Sequence, residues 1–142
     1  MYKTLKFLAI AFLLFSTLSC SKTDSEWGKS IKYRGSDLFY TSKVTKSEVK
    51  KLGDYLLETG FFQEESKGSS QITRDNDTYQ FRIVVNKEVF GNKEFIKNAA
   101  MFAATISKGI FNDNQVEIHL CNKNFETVNI ATYTYSNPEA LE

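Results

Sequence analysis

The sequence predicts an α+β domain in which two helices pack on one face of a mainly antiparallel sheet. Two stretches carry apolar residues at the spacing of an amphipathic helix, and each is preceded by a residue suited to capping a helix. Most other apolar residues fall in short alternating segments bounded by turn-forming residues, the pattern of strands with one buried face. The predicted order is β-α-β-β-α-β-β.

The first strand is predicted at 37–40, where an apolar run follows a glycine-containing turn. The first helix is predicted at 46–59. Thr45 can accept a hydrogen bond from the Glu48 amide while the Glu48 carboxylate reaches back to the Thr45 amide, which is the capping box of a helix N-terminus. Gly60 then provides the left-handed residue that commonly ends a helix.

A hairpin is predicted from strands at 71–74 and 78–85, with the polar turn 75–77 between them. Apolar and polar residues alternate along the second of these strands, so one of its faces should pack against the helices. Arg82 falls on the other face, which we expect to be at least partly exposed to water. The two aspartates of the turn suit local hydrogen bonding, with calcium ligation as the minor alternative.

The second helix is predicted to start after Asn92, its N-cap, and to end at the polar run 112–114. A strand at 116–121, a tight turn at 122–124 and a last strand at 125–133 follow. The simplest way to bury both apolar helix stripes is to place the two helices on one surface of the sheet. Ferredoxin-like folds and their relatives have this layout.

The N-terminus has a basic start, an apolar run and a small residue before a cysteine. Lys3 and Lys6 precede the apolar run 7–15, and Ser19 and Cys20 follow as the small residue and the thiol. This order of parts resembles a bacterial lipoprotein signal, with cleavage expected before Cys20. The uncharged run 7–21, about 15 residues, would span roughly 22 Å as a helix, which is short of the ~30 Å hydrocarbon core. We therefore expect a cleaved signal and a lipid on Cys20 rather than a permanent membrane span.

Lipoprotein signals normally carry leucine three residues before the cysteine. Here Thr17 holds that position and Leu18 lies one residue closer, which resembles the looser lipoprotein signals of Bacteroidetes-like bacteria. The alternative is an ordinary secretory signal that leaves Cys20 as a plain thiol. The following residues, 21–26, loosely resemble the short export tags of some lipoproteins from such bacteria, although a simple polar tether would have the same composition.

The predicted organisation has four segments. They are a signal peptide at 1–19, a polar tether at 20–36, a single α+β domain at 37–135 and a C-terminal tail at 136–142. Localisation follows from the anchor: we expect a lipid-anchored protein of the cell envelope, at the outer membrane on its periplasmic or surface side.

Charge argues against a nucleic-acid partner. Of the 18 basic side chains, Lys3 and Lys6 lie in the predicted signal, so 16 remain beside 17 acidic ones. Nucleic-acid-binding proteins normally concentrate positive charge, and this mature chain has no such excess. The expected partners are therefore the membrane, through the lipid on Cys20, and a protein of the envelope.

His119 and Cys121 are the only pair that suggests catalysis. They are two residues apart on a predicted strand, and a thiolate beside an imidazole is the chemistry of cysteine nucleophiles, so a hydrolytic or small-ligand function remains the alternative. However, such residues lie roughly 6.5–7 Å apart at the backbone. The favoured interpretation is that both pack on or beside the sheet, so that no catalytic residue, metal site or cofactor is predicted.

Three aromatic residues near the ends of the domain, Trp27, Tyr133 and Tyr135, are candidates for exposed contacts with a protein or glycan. The alternative is that the C-terminal pair only extends an edge strand. Gly53 inside the first helix indicates close packing rather than a phosphate site, because no glycine-rich loop accompanies it.

The segments KLGDYLLETGFF (51–62), TYQFRIVV (78–85) and VEIHLCNKNFETV (116–128) resemble a small α+β module of uncharacterised bacterial membrane-associated or exported proteins. The resemblance spans 38–130. It supports the fold and implies no activity or catalytic residues. The expected function is therefore that of a lipid-anchored accessory or binding protein that contacts another protein.

Overall fold

The computed structural model describes residues 25–65 and 67–133, and these form one sheet with two helices. The elements in chain order are β1 (Lys29–Tyr33), β2 (Ser36–Tyr40), α1 (Lys46–Glu58), β3 (Ser69–Asp75), β4 (Thr78–Val84), a single 3₁₀ turn (Lys87–Val89), α2 (Lys93–Ile110), β5 (Val116–Cys121) and β6 (Thr127–Ala131). The predicted signal, Cys20, Tyr135 and the tail 136–142 lie outside the described residues.

The six strands lie side by side in sequence order, β1 to β6. Three antiparallel hairpins, β1–β2, β3–β4 and β5–β6, are joined by two parallel pairings, β2–β3 across α1 and β4–β5 across α2. The predicted α+β class is confirmed. The split βαβ arrangement of ferredoxin-like folds is not the one found, because here the two strands that flank each helix are hydrogen-bonded directly to one another.

The sheet begins earlier than the predicted boundary between tether and domain. β1 lies within the stretch 20–36 that was assigned to the tether, and it pairs with β2 from Lys29 to Tyr33. Arg34 and Gly35 connect the two strands with positive φ angles of 50° and 83°. This is the backbone of a two-residue hairpin turn whose twist matches that of the strands. The folded domain therefore includes β1.

Both predicted helix starts are confirmed. The Glu48 amide donates to Thr45 Oγ1 over 3.2 Å, and the Thr45 amide donates to Glu48 Oε2 over 2.8 Å. The side chain of Asn92 caps α2 by accepting from the Phe95 amide over 3.0 Å. Gly60 follows α1 with a φ of 78°, as expected for the residue that ends a helix.

The main core lies between the sheet and both helices. α1 contributes Val49, Leu52 and Leu56, and α2 contributes Ala99, Ala103 and Ile106. These side chains join one buried cluster with alternate residues of the strands, including Leu38, Ile72, Phe81, Ile118 and Leu120. The predicted placement of both helices on one face is therefore confirmed.

The other face of the sheet is partly covered by two short segments. Trp27, predicted as part of a tether, packs against Phe39 of β2 and Phe125, with ring centroids 5.7 and 5.0 Å away. The Gln71 side chain donates to the Trp27 carbonyl over 2.8 Å, and Arg82 donates to the Phe125 carbonyl. Arg82 is thus on the face predicted for it.

Phe125 was predicted to open the last strand but belongs to the preceding turn. Its φ is 58°, and its amide donates to the Asn122 carbonyl, which closes the turn before β6 begins at Thr127. A left-handed residue cannot continue a strand, so the buried Phe125 ring is directed onto the sheet face instead of alternating along β6.

Candidate functional site

His119 and Cys121 lie on the same side of β5, on the sheet face away from the helices. The His119 ring places Nδ1 3.0 Å from Thr127 Oγ1 and Nε2 2.9 Å from Glu117 Oε2. The Cys121 thiol lies 3.5 Å from the His119 backbone carbonyl and 3.9 Å from the same Thr127 hydroxyl. The two predicted residues are therefore brought into one network, and Thr127 is the group they share.

This network is better suited to holding strands together than to covalent catalysis. Cys121 is 0 % exposed, so no substrate can reach its sulfur in this conformation. Both nitrogens of the His119 ring already have hydrogen-bond partners other than the thiol, which leaves neither placed to activate it. The β5–β6 pairing shifts register next to Cys121, where Thr127 contacts both side chains. The contacts hold that irregular junction in place.

Within the described residues, no group of three or more His, Cys, Asp or Glu side chains is arranged to hold a metal ion. The predicted turn is present but is one residue shorter: Asp75 ends β3, and residues 76–77 connect it to β4, with Asn76 at a φ of 51°. Its carboxylates contact their neighbours: Asp77 lies 3.4 Å from Arg74, and Asp75 accepts from Asn76 over 3.5 Å. These are the local contacts expected of a turn.

No helix in the described part of the chain combines the length and apolar character needed to cross a bilayer.

A partly buried polar cluster that the sequence did not reveal joins the start of α1 to the sheet. Tyr79 Oη donates to Glu48 Oε1 over 2.5 Å, and the Arg74 guanidinium lies 4.9 Å from the Tyr79 ring centroid. Burial raises the pKa of the Glu48 carboxyl, but hydrogen bonds from Tyr79 and Thr45 outweigh it and leave that pKa below its usual range. Burial and the Glu48 contact raise the pKa of Tyr79. Glu48 thus fastens α1 to β4 as well as capping the helix.

The sheet has two edges, and they differ in chemistry. β1 carries Lys29 and Lys32, both exposed, and charged side chains of this kind protect an edge from pairing with other strands. β6 has the sequence TVNIA, without a charge. Val128 and Ile130 on this strand are 52 % and 44 % exposed. Ile130 pairs with His119, so its side chain points to the face away from the helices, and Val128 lies where the β5–β6 register shifts.

One side chain covers part of the β6 edge. The Ile130 amide donates to the Asn129 side-chain oxygen over 2.8 Å, and the Asn129 side-chain nitrogen donates to the Phe90 carbonyl over 2.8 Å. Asn129 is therefore held by the loop that precedes α2 and occupies a main-chain donor of the edge strand. The exposed surface next to it consists of Val128 and Ile130.

Comparison with known proteins identifies the domain. The AF_1994_N family, described as a family N-terminal domain, matches residues 30–132, more than half of the chain. The match runs from β1 to just beyond β6. No curated protein and no solved structure matches the chain. The chain therefore belongs to the AF_1994_N family, and the prediction of a small module from an uncharacterised family is confirmed.

Proposed function

We propose that this chain is a lipid-anchored binding protein of the cell envelope, not an enzyme, and that it contacts a protein partner through the β6 edge. The observation that carries the proposal is the uncharged edge strand with two exposed apolar side chains, Val128 and Ile130. Such an edge can accept a strand from another chain, with main-chain hydrogen bonds giving affinity and alternate side chains giving specificity.

The contrast between the two edges supports this choice. Proteins commonly protect edge strands with lysines, as β1 does with Lys29 and Lys32, because an unprotected edge invites aggregation. At β6, within the part of the chain that the structure describes, the Asn129 side chain protects the Ile130 amide. A partner strand has to displace this one hydrogen bond, and that requirement disfavours indiscriminate pairing. The face near β2 is less suitable because Trp27 and Phe125 already pack there.

The membrane anchor of the proposal is a diacylglyceryl group on Cys20, supported by the sequence pattern at 1–20. Trp27 packs on the sheet and Ser25 pairs with Gly28, so the anchored Cys20 is five residues from the described domain. Five extended residues reach at most about 18 Å. The domain would therefore stay close to the membrane, and its partner is expected at the same surface.

Site-specific photo-crosslinking in the membrane-anchored full chain tests the partner. A crosslinker at position 128 should form a discrete adduct with one envelope protein, and Ile130→Lys should abolish that adduct. The matched control is position 101, because Met101 is 61 % exposed but lies on α2. Equal adducts at both positions, or none at 128, would overturn the β6 assignment.

Mass spectrometry of the N-terminal peptide tests the anchor separately. We expect an acylated Cys20 as the first residue of the membrane-purified protein, and Cys20→Ser should release the chain or leave it uncleaved. An N-terminus that maps elsewhere would overturn the lipid assignment while leaving the β6 proposal intact.

A further inference from the structure

An apolar cavity lies on the helix side of the sheet, against the first half of α2. Its volume is about 290 Å³, near the lower limit for small-molecule sites, which span roughly 300–1,000 Å³. Its wall is almost entirely aromatic and aliphatic, formed mainly by Phe61, Phe81, Ile83, Phe95, Phe102 and Ile118. Phe61 is partly exposed and stacks on Phe102 with 6.3 Å between ring centroids.

A second cavity of about 210 Å³ shares Phe61, Ile83 and Phe95 with the first and is also lined by Ser70. Ser70 is 3 % exposed, and its hydroxyl has no hydrogen-bond partner among residues 25–65 and 67–133. A buried hydroxyl without a partner is unfavourable, so its presence at the wall of a cavity points to a group that is bound there.

A third cavity of about 730 Å³ continues around the end of the sheet and shares Gly68, Ser69 and Phe95 with the second. Lys67 and Lys123 line it, and both side chains are exposed. Among residues 25–65 and 67–133, no Asp or Glu lines any of the three cavities. The lining therefore changes in order from apolar, through Ser36, Ser69 and Ser70, to positively charged.

We propose that this cleft binds a single-chain amphiphile with an anionic head group. The hydrocarbon chain occupies the aromatic cavity, where its burial is favourable because water is excluded from both surfaces. The Ser70 hydroxyl donates to an oxygen where the chain meets the head group. Lys67 and Lys123 balance the negative charge at the open end, where the described lining residues include no carboxylate to repel it. A fatty acid and a lysophosphatidate share this chemistry.

The first test uses Trp27, the only tryptophan of the chain, which lines the charged cavity. The full chain is kept soluble in an amphipathic polymer, so that no detergent competes, and is titrated with brominated dodecanoates below their micellar concentration. Bromine beside the carboxylate should quench Trp27 fluorescence more strongly than bromine at the far end of the chain, and unlabelled dodecanoate should reverse the quenching. Equal quenching by both positions would overturn the proposed orientation.

Ser70→Ala separates a binding role from a packing role. The variant should bind dodecanoate about tenfold more weakly, since a hydrogen bond to a charged group is lost, yet the ligand-free protein should be more stable in urea because an unpaired hydroxyl is removed. Unchanged affinity in this variant would overturn the role of Ser70. Ala99→Phe, which fills the apolar cavity, should abolish binding of the chain; full binding by this variant would overturn the site.

Head-group charge is tested with Lys67→Glu combined with Lys123→Glu. This double variant should weaken dodecanoate binding at least fivefold and leave the binding of uncharged dodecanol unchanged, whereas Lys108→Glu, outside the cleft on α2, should change neither. Comparison of dodecanoate with lauroyl lysophosphatidate distinguishes a carboxylate from a phosphate head group, because the preferred head group should bind more tightly. Saturable binding of neither compound would overturn the proposal and leave the β6 assignment unaffected.

Discussion

Replacing Gly53 with alanine should destabilise the protein, although alanine is the better helix former. Gly53 lies in the middle of α1, where the change would ordinarily stabilise the fold by about 1 kcal/mol. Here the Tyr33 ring of β1 occupies the position that an alanine Cβ would take. Tyr33 is 8 % exposed and stacks on Phe62, with ring centroids 5.3 Å apart and planes within 4°.

The expected magnitude follows from two opposing effects. Overpacking a filled site costs about 1–3 kcal/mol, and displacing one ring from an aromatic pair costs about 0.5–1.5 kcal/mol within that range. The gain in helix propensity, about 1 kcal/mol, offsets part of this overpacking cost, so we expect the free energy of unfolding to fall by about 1 kcal/mol. In a Tyr33→Ala background the obstacle is gone, so Gly53→Ala should instead raise the free energy of unfolding by about 1 kcal/mol.

Urea unfolding followed by circular dichroism measures the effect of Gly53→Ala in the wild-type and in the Tyr33→Ala background. Gly109→Ala in α2 is the matched control, because a Cβ at this position would meet nothing within 4 Å. This substitution should raise the free energy of unfolding by up to about 1 kcal/mol in either background. If Gly53→Ala stabilised both backgrounds equally, Tyr33 would not be packed on α1, and the assignment of β1 to the folded domain would be wrong.

Three further predictions concern other contacts. Glu48→Gln should lower the free energy of unfolding by about 1 kcal/mol, because the cap of α1 is weakened. The pKa of Glu48 is below its ordinary value of 4.5, so its carboxylate stabilises the fold above that pH and loses this effect as pH falls. In urea unfolding, the free energy of unfolding should therefore fall more steeply with decreasing pH in the wild type than in the Glu48→Gln variant. In a Cys20→Ser chain, Cys121 should react with a thiol reagent only after denaturation, and rapid labelling of the native protein would contradict its burial. Trp27→Ala should cost about 2 kcal/mol in the same urea assay, with Trp27→Phe retaining most of the stability; no loss in the alanine variant would show that the N-terminal segment does not pack on the sheet.

The helices were predictable from the sequence because their signals are local. The Thr45 capping box and the Asn92 cap each join residues three positions apart, and both appear as predicted. Gly53 as a site of close packing was also predictable, although its neighbour Tyr33 was not. The strand 116–121 was likewise found at its predicted bounds because its alternation is regular.

The parts that the sequence did not predict depend on residues far apart in the chain. Tyr79 bonds to Glu48 across 31 positions, and Gln71 bonds to the Trp27 carbonyl across 44. The order of the strands was unpredictable for the same reason, since the alternation of apolar residues shows which face of a strand is buried but not which strand lies beside it. β1 was missed because its five residues, KSIKY, contain only two apolar side chains and resemble a polar linker.

The sequential arrangement of the strands has a consequence for how the chain folds. Every strand pairing joins strands that are consecutive in the chain, so each hairpin closes a short loop and each parallel pairing spans a single helix. No pairing joins distant parts of the chain, so we expect folding to be faster than that of a β-sandwich of similar size. Each hairpin can form before the next one has been added, which limits how long an unpaired edge is exposed to other chains.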